Sequence, residues 1–310
     1  MEAVTDVVFR HVVAQAGAPD VWFTEFTNAT GWAHAGDKAI GGRLIKTDDE
    51  HPIIAQLWGS DPASMEKLAA HCAELGYDGI DINMGCPDQS AIKSGGGSGM
   101  ILNPENAAAI IAAAKASGLP VSVKTRLGYS RVDEWREWIG HILRQDIVNF
   151  TIHLRTKKEM SKVAAHFELI PDIKQLRDNI APQTLLTING DIRDRAHGVE
   201  LVEQYGVDGV MIGRGVFANP FAFAPHPAQE GEVVVTESTV KKRLKLLNLQ
   251  LDLYDQYSAQ TGRPFETLKR FFKIYIRDIP GASELRDQLM HTKSTQEVRA
   301  ILNNGHDDNE

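Results

Sequence analysis

Gly79-Ile80-Asp81-Ile82-Asn83-Met84-Gly85-Cys86-Pro87 is the stretch that decides how this chain folds. Its first five residues have the short, largely apolar character of a buried strand, and the run stops hard at Gly85-Cys86-Pro87. A cysteine at a strand end, with a glycine before it and a proline after it, is poised rather than packed. If the strand belongs to a parallel barrel, its C-terminal end is the face on which chemistry is done. Cys86 is therefore the first candidate for a catalytic proton donor.

Working outward, segments of the same kind recur. Residues 21–24, 53–57, 121–125, 147–153, 185–189 and 209–213 are short, apolar and rich in β-branched side chains, as parallel strands buried on both faces should be. Helical patterns lie between them, among them 62–71, an alanine-rich run opened by Asn103-Pro104, and 196–205. Gly76, Gly118 and Gly206 stop helices before the next strand. Strict alternation predicts an α/β fold, a (β/α)8 TIM barrel, with the doubly wound sheet as the alternative. The count is seven strands rather than eight, because the first helical pattern, 7–13, begins almost at Met1; the expectation is that the barrel lacks its first strand as numbered here or that another segment fills the slot.

Residues 1–222 are read as the barrel. Composition shifts at 222–238, where two prolines, a glycine and a Val-Val-Val run suggest a linker over 223–238. Helices are expected at about 239–259, 264–278, 282–291 and 294–302, making a small all-α domain over 239–303. The tail 304–310 is expected to be disordered, and 94–99 to be a short flexible loop.

The chain has 310 residues, 43% hydrophobic, and no apolar run long enough to span a bilayer, so no membrane association is expected. Two cysteines argue against a disulfide framework and for a reducing, cytoplasmic setting. Cys72 reads as an inert core thiol, and no metal site is expected. Net charge is −8, yet residues 239–301 hold twelve Lys/Arg against seven Asp/Glu, so this part carries +5 and the rest −13. That asymmetry fits a polyanionic partner for the helical part, or a solvated helical face; charge alone leaves both open.

Functional groups recur at the strand ends: Gln56, then Asn83 and Cys86, Lys124 and Arg126, His153 and Arg155, Asn189-Gly190-Asp191, and Gly213-Arg214-Gly215. A barrel core would place Val, Ile or Leu at inward positions, so polar groups clustered at successive C-terminal ends mark a site. Glycines at the last two ends let backbone N–H groups approach an anion, and Arg214 adds a bidentate donor. Lys124 lies in an apolar run, where an ammonium is costly unless an anionic or acceptor-rich ligand meets it. A flavin ring suits it; a Schiff-base lysine is the competing role.

These words resemble those of the tRNA-dihydrouridine synthases, flavoenzymes of the FMN-linked barrel group. The resemblance rests on Met1-Glu-Ala-Val-Thr-Asp with Phe9-Arg10, Ala55-Gln56-Leu57, Asp81 to Pro87, Lys124-Thr-Arg126, His153-Leu-Arg155-Thr156, Asn189-Gly190-Asp191, Gly213-Arg214-Gly215 and Pro280 to Arg286, in family order. It implies FMN over the barrel mouth, with Gln56 and Lys124 on the isoalloxazine ring. His153, Asn189, Gly190, Asp191, Gly213 and Arg214 would lie on the ribityl phosphate side. It further implies NADPH (or NADH) as reductant and tRNA as partner, with no obligate protein partner. A uridine flipped out of the tRNA would take hydride at C6 and a proton from Cys86 at C5. Asn83, Arg126 and Arg155 would contact the substrate, and the helical domain would grip the RNA. Leu154 stands where the family has glycine and is expected to narrow that corner of the pocket. The alternatives are an FMN barrel acting on a small pyrimidine or enone, and an RNA-binding barrel without flavin; the basic helical appendage separates the first of these from the tRNA enzyme.

Overall fold

Eight short strands, all parallel, form one sheet in a computed structural model that describes residues 1–40, 42–225 and 237–304. They are β1 (Trp22–Phe23), β2 (Thr27–Asn28), β3 (Ile53–Trp58), β4 (Gly79–Asn83), β5 (Val121–Arg126), β6 (Asn149–His153), β7 (Leu185–Asn189) and β8 (Gly209–Met211). β1 and β2 pair with successive parts of β3, so together they fill one strand position that breaks at Thr24. The remaining strands follow in sequence order. Seven strand positions result, as expected, with β1/β2 and β8 as the edges of the path among the described residues. The bounds differ from expectation at several ends: the first strand is split, β3 and β5 each run one residue longer, β6 starts at Asn149 rather than at residue 147, and β8 stops at Met211 rather than at residue 213.

The strands are not apolar on both faces. Ile53, Ala55 and Leu57, Ile80 and Ile82, Val121 and Val123, Phe150 and Ile152, and Leu186 and Ile188 join the helices in one apolar core. The alternate residues, Gln56, Asp81, Asn83, Ser122, Lys124, Arg126, Asn149, Thr151, His153, Thr187 and Asn189, share the opposite face, because successive side chains of a strand point to opposite sides. Parallel register stacks them in rows: Gln56 beside Asp81 beside Ser122, Asn83 beside Lys124, and Arg126 beside His153 beside Asn189. The barrel interior is therefore polar, and its last row lies at the C-terminal rim.

Helices over Pro62–Glu74, Pro104–Lys115, Trp135–Leu143, Ile170–Ile180 and Arg195–Tyr205 return the chain between strands. Asp61 and Asn103 cap two of these, each followed by proline at the first turn. After the barrel come Glu237–Thr261, a 3-10 turn Phe265–Leu268 leading into Lys269–Tyr275, then Ala282–His291 and Thr295–Asn304. These match the expected helices closely. The expected linker 223–238 and tail 304–310 lie almost wholly outside the described residues. Among the described residues no helix is long and apolar enough to cross a membrane.

The helical part does not stand apart. Its Leu246, Leu247, Leu251, Phe271, Phe272 and Ile274 share a second core with Val4, with Phe9, Val12 and Val13 of the first helix (Val7–Ala16), and with Val216 and Ala222. Arg263 reaches across to the fully buried Glu25 carboxylate, between β1 and β2, and Arg270 donates to the Ala3 carbonyl at 2.8 Å.

Candidate active site

Cys86 sits in the loop after β4, half-buried and free. Almost every backbone group of that loop is pinned. The Met84 N–H donates to the Lys124 carbonyl at 2.8 Å and the Thr125 hydroxyl to the Met84 carbonyl at 3.0 Å. The Gly85 and Cys86 N–H groups both donate to Asn83 Oδ1, at 3.1 and 2.9 Å. Arg126 Nε donates to the Gly85 carbonyl at 2.8 Å, and the Ser98 N–H to the Cys86 carbonyl at 2.9 Å. The last bond corrects one expectation. Residues 97–102 form a 3-10 turn, buried from Gly97 to Ile101, that backs the Cys86 loop, and the glycines at 96, 97 and 99 are packed rather than exposed on a free loop. A Cβ on Gly97 would lie 2.7 Å from the Cys86 carbonyl oxygen, and its φ of +53° is one glycine tolerates best.

Burial raises the Cys86 pKa, with Asp88 and Glu2 adding to it, while Arg126 and a backbone N–H at Asp88 act against. The thiol thus carries its proton at neutral pH. Cys72, by contrast, is fully buried and pushed up to about 12 by burial, the inert thiol expected.

Lys124 lies beside Asn83 in register. Burial first, then repulsion from Arg126, lowers its pKa to about 8; Asp81 and Cys86 oppose that. Among the described residues its ammonium has no hydrogen-bond or ion-pair partner. His153 is driven down to about 2, by burial and then by the surrounding Lys124, Arg126, Arg155 and Arg214. It is a neutral imidazole among four cations, and its Nδ1 is buried without a partner. Arg155 Nη1 is likewise buried and unpartnered, its Nη2 donating to Asp191 and its Nε to the Val163 carbonyl at 2.6 Å.

The last two strand ends meet through Asp191, whose carboxylate accepts from Arg155, from the Ala165 N–H at 3.1 Å and from Arg214 Nη2 at 3.3 Å. Asn189 Nδ2 donates to the Met211 carbonyl at 2.7 Å, joining β7 to β8. Gly190, at φ +117°, faces the His153 ring and Arg155 where a Cβ would stand. Arg126 is nearly buried, with Nη1 donating to the Thr156 and Met160 carbonyls at 3.1 and 3.2 Å. Glu159 closes that second loop by accepting from the Thr156 N–H at 2.7 Å and hydroxyl at 3.0 Å.

Gln56 lies two residues before the end of β3, deeper than expected. Its Nε2 donates to Asp81 Oδ2 at 2.6 Å, and its Oε1 accepts from Asn83 Nδ2 at 3.3 Å. Sequence reasoning misses Asp81, which is fully buried, although a carboxylate inside an apolar run is a signal for it. It misses Ser122 and Glu25 too. Leu154 is fully buried in the apolar core, so it does not narrow the pocket as expected.

Buried donors without partners, a partnerless ammonium and glycine at the anion end suit a flavin mononucleotide, which has an acceptor-rich ring edge and a phosphate. Beyond Arg214 a groove of about 640 Å³ continues between the barrel and the helical part, lined by Phe217, Lys273, Arg277 and Arg286.

A parallel barrel whose polar interior rises to one rim bearing a thiol, an ammonium and a neutral imidazole defines an α/β-barrel enzyme, its chemistry at the strand ends. A solved 6-hydroxypseudooxynicotine amine oxidase from Pseudomonas geniculata N1 has a similar fold, with a TM-score of 0.53 over 71% of this chain and 45% of that one at 12% identity. The model of the dihydrouridine synthase family matches residues 1–308, and the chain belongs to that family. A probable tRNA-dihydrouridine synthase 2 of Bacillus subtilis (strain 168) is 60% identical over 303 residues, covering 97% of this chain and 91% of that protein. A probable tRNA-dihydrouridine synthase of Staphylococcus aureus (strain N315) is 57% identical over 303 residues, covering 97% and 90%.

Proposed function

We propose that this chain reduces the C5–C6 double bond of a uridine in tRNA, using FMN over the barrel mouth and NADPH (or NADH) as reductant, in the cytoplasm. The observation that carries the reading is the free Cys86 thiol, its pKa raised by burial, on the same rim as the Lys124 ammonium and the buried, unpartnered His153 Nδ1 and Arg155 Nη1. All three strands concerned are parallel, so their ends face one way.

Bound FMN would supply the hydride that adds to C6 of the base. Lys124 and Gln56 would hold the ring edge, the ammonium offsetting negative charge that builds there on reduction. His153 would offer a buried ring nitrogen without a partner, and Gly190, Gly213 and Arg214 would leave room and charge for the phosphate. His153 acts as a neutral hydrogen-bonding group, because burial first and the four cations around it next disfavour a charge on its ring. Cys86 gives its proton to C5, a step that needs the thiol protonated beforehand. The thiolate left behind is stabilised by Arg126 and Lys124, then reprotonated from solvent. Asn83, Arg126 and Arg155 are assigned to the base or its neighbouring backbone.

A base cannot meet this rim while stacked in a helix, so extrusion is required, at a few kcal/mol. The groove lined by Lys273, Arg277 and Arg286 supplies counter-charge for phosphates beyond the one carboxylate it contains, Asp278, which pairs with Arg277 at 2.8 Å. A polyanionic partner gives this groove a role that a free pyrimidine does not.

Cys86→Ala is expected to keep the yellow flavin colour and lose about 10²–10⁴-fold in dihydrouridine formation, read by mass spectrometry of tRNA nucleosides. Unchanged product would sink the reading; loss of flavin would make the thiol structural.

A further inference from the structure

The polar interior contains one directed hydrogen-bond chain that ends at Cys86. Ser122 Oγ donates to Asp81 Oδ1 at 2.6 Å. Gln56 Nε2 donates to Asp81 Oδ2 at 2.6 Å. Asn83 Nδ2 donates to Gln56 Oε1 at 3.3 Å, and Asn83 Oδ1 accepts from the Gly85 and Cys86 N–H groups. Two of the links are side-chain amides, which are sterically almost symmetric under a flip of O for N. Left alone, each could sit either way round.

We propose that Asp81 is a positioning residue: an acceptor-only group at the base of the chain that fixes the orientation of the Gln56 and Asn83 amides and, through them, the backbone of Cys86. Asp81 takes only donors, so Gln56 must turn its NH₂ toward Asp81 and its oxygen toward Asn83. Asn83 must then turn its NH₂ toward Gln56, which leaves its oxygen for the Gly85 and Cys86 N–H groups. A flipped Asn83 would set NH₂ against two N–H donors and release the loop. Asp81 is 0% exposed and Gln56 and Asn83 are nearly buried, so water does not stand in for a lost partner. The same chain fixes which end of Gln56 is spent on Asp81 and which on Asn83. Burial pushes the Asp81 pKa up, and Ser122, Gln56 and Lys124 act against that.

The role rests on Cys86 acting at the substrate, so its test reads Cys86 placement apart from turnover. The probe is iodoacetamide, with the protein as purified; Cys72 is buried and does not compete. Asp81→Asn can donate as well as accept, which removes the directing group. It is expected to change the Cys86 alkylation rate at least threefold and to lower kcat about tenfold, with KM for tRNA within twofold. The double variant Gln56→Glu/Asp81→Asn moves the carboxylate one link along. The new amide at position 81 donates to the new carboxylate at position 56, which still accepts from Asn83. That pair is expected to return the alkylation rate to within twofold of wild type. Should Asp81→Asn alone not fold, the comparison is with Gln56→Glu, which presses two carboxylates together and which the added Asp81→Asn should rescue. An alkylation rate unmoved by Asp81→Asn, or a double variant no nearer wild type than either single one, overturns the assignment. Altered alkylation with unchanged dihydrouridine formation leaves Asp81 in place and removes Cys86 from the chemistry.

Discussion

Lys124 is held near a pKa of about 8 by burial, inside the range where its charge can be titrated away. An acceptor-rich ring edge takes hydrogen bonds from the ammonium and not from the neutral amine's lone pair, so ligand binding raises this pKa. Affinity is therefore steady below pH 8 and falls as pH climbs past it, where the free chain must take up a proton to bind. Titration by flavin fluorescence is expected to show FMN binding about fivefold weaker at pH 9 than at pH 7. Lys124→Ala should bind more weakly at pH 7 and lose that pH dependence; an equal pH dependence would remove Lys124 from the ring edge. Lys124 was legible in the sequence because an ammonium in an apolar run is costly. Asp81 should have been legible for the same reason, yet its partners, Gln56 and Ser122, are 25 and 41 residues away. Only register brings them beside it.

Among the elements, the 97–102 turn shows what composition conceals. Glycines at 95, 96, 97 and 99 suggest freedom, but here they permit close approach: Gly95 to Ser60, Gly96 to the Trp58 ring, Gly97 to Cys86. Gly97→Ala would set a Cβ 2.7 Å from the Cys86 carbonyl at an unfavourable φ. A loss of about 1–3 kcal/mol in urea unfolding is expected, with a changed Cys86 alkylation rate. A neutral substitution would mean that the turn does not brace the loop. The strands show the opposite case. Their period-2 alternation, as in Ile80-Asp81-Ile82-Asn83 and Asn149-Phe150-Thr151-Ile152-His153, is visible in the sequence, but short strands in a parallel sheet are expected to be apolar on both faces. The alternation records that one face packs on helices while the other lines a polar interior.

On the scale of the whole molecule, the helical part is joined to the barrel by a shared apolar core and by the Glu25–Arg263 pair across the seam. A chain cut after residue 225 would expose Phe9, Val12, Val13 and Val216 together. It is expected to aggregate or to lose a cooperative thermal transition by size exclusion and calorimetry; a monomeric, cooperatively melting fragment would show that the barrel stands alone. The sequence by itself determined the alternating fold, the seven strand positions, the helices after 237 and the identity of nearly every polar strand end, because these depend on local pattern and on residue chemistry. Tertiary structure alone decided that the appendage is fused to the barrel, that Leu154 turns into the core, and that Asp81, Gln56 and Asn83 form one chain to Cys86. Each of these depends on which distant residues come within hydrogen-bond or packing distance, and no local pattern along the chain encodes that.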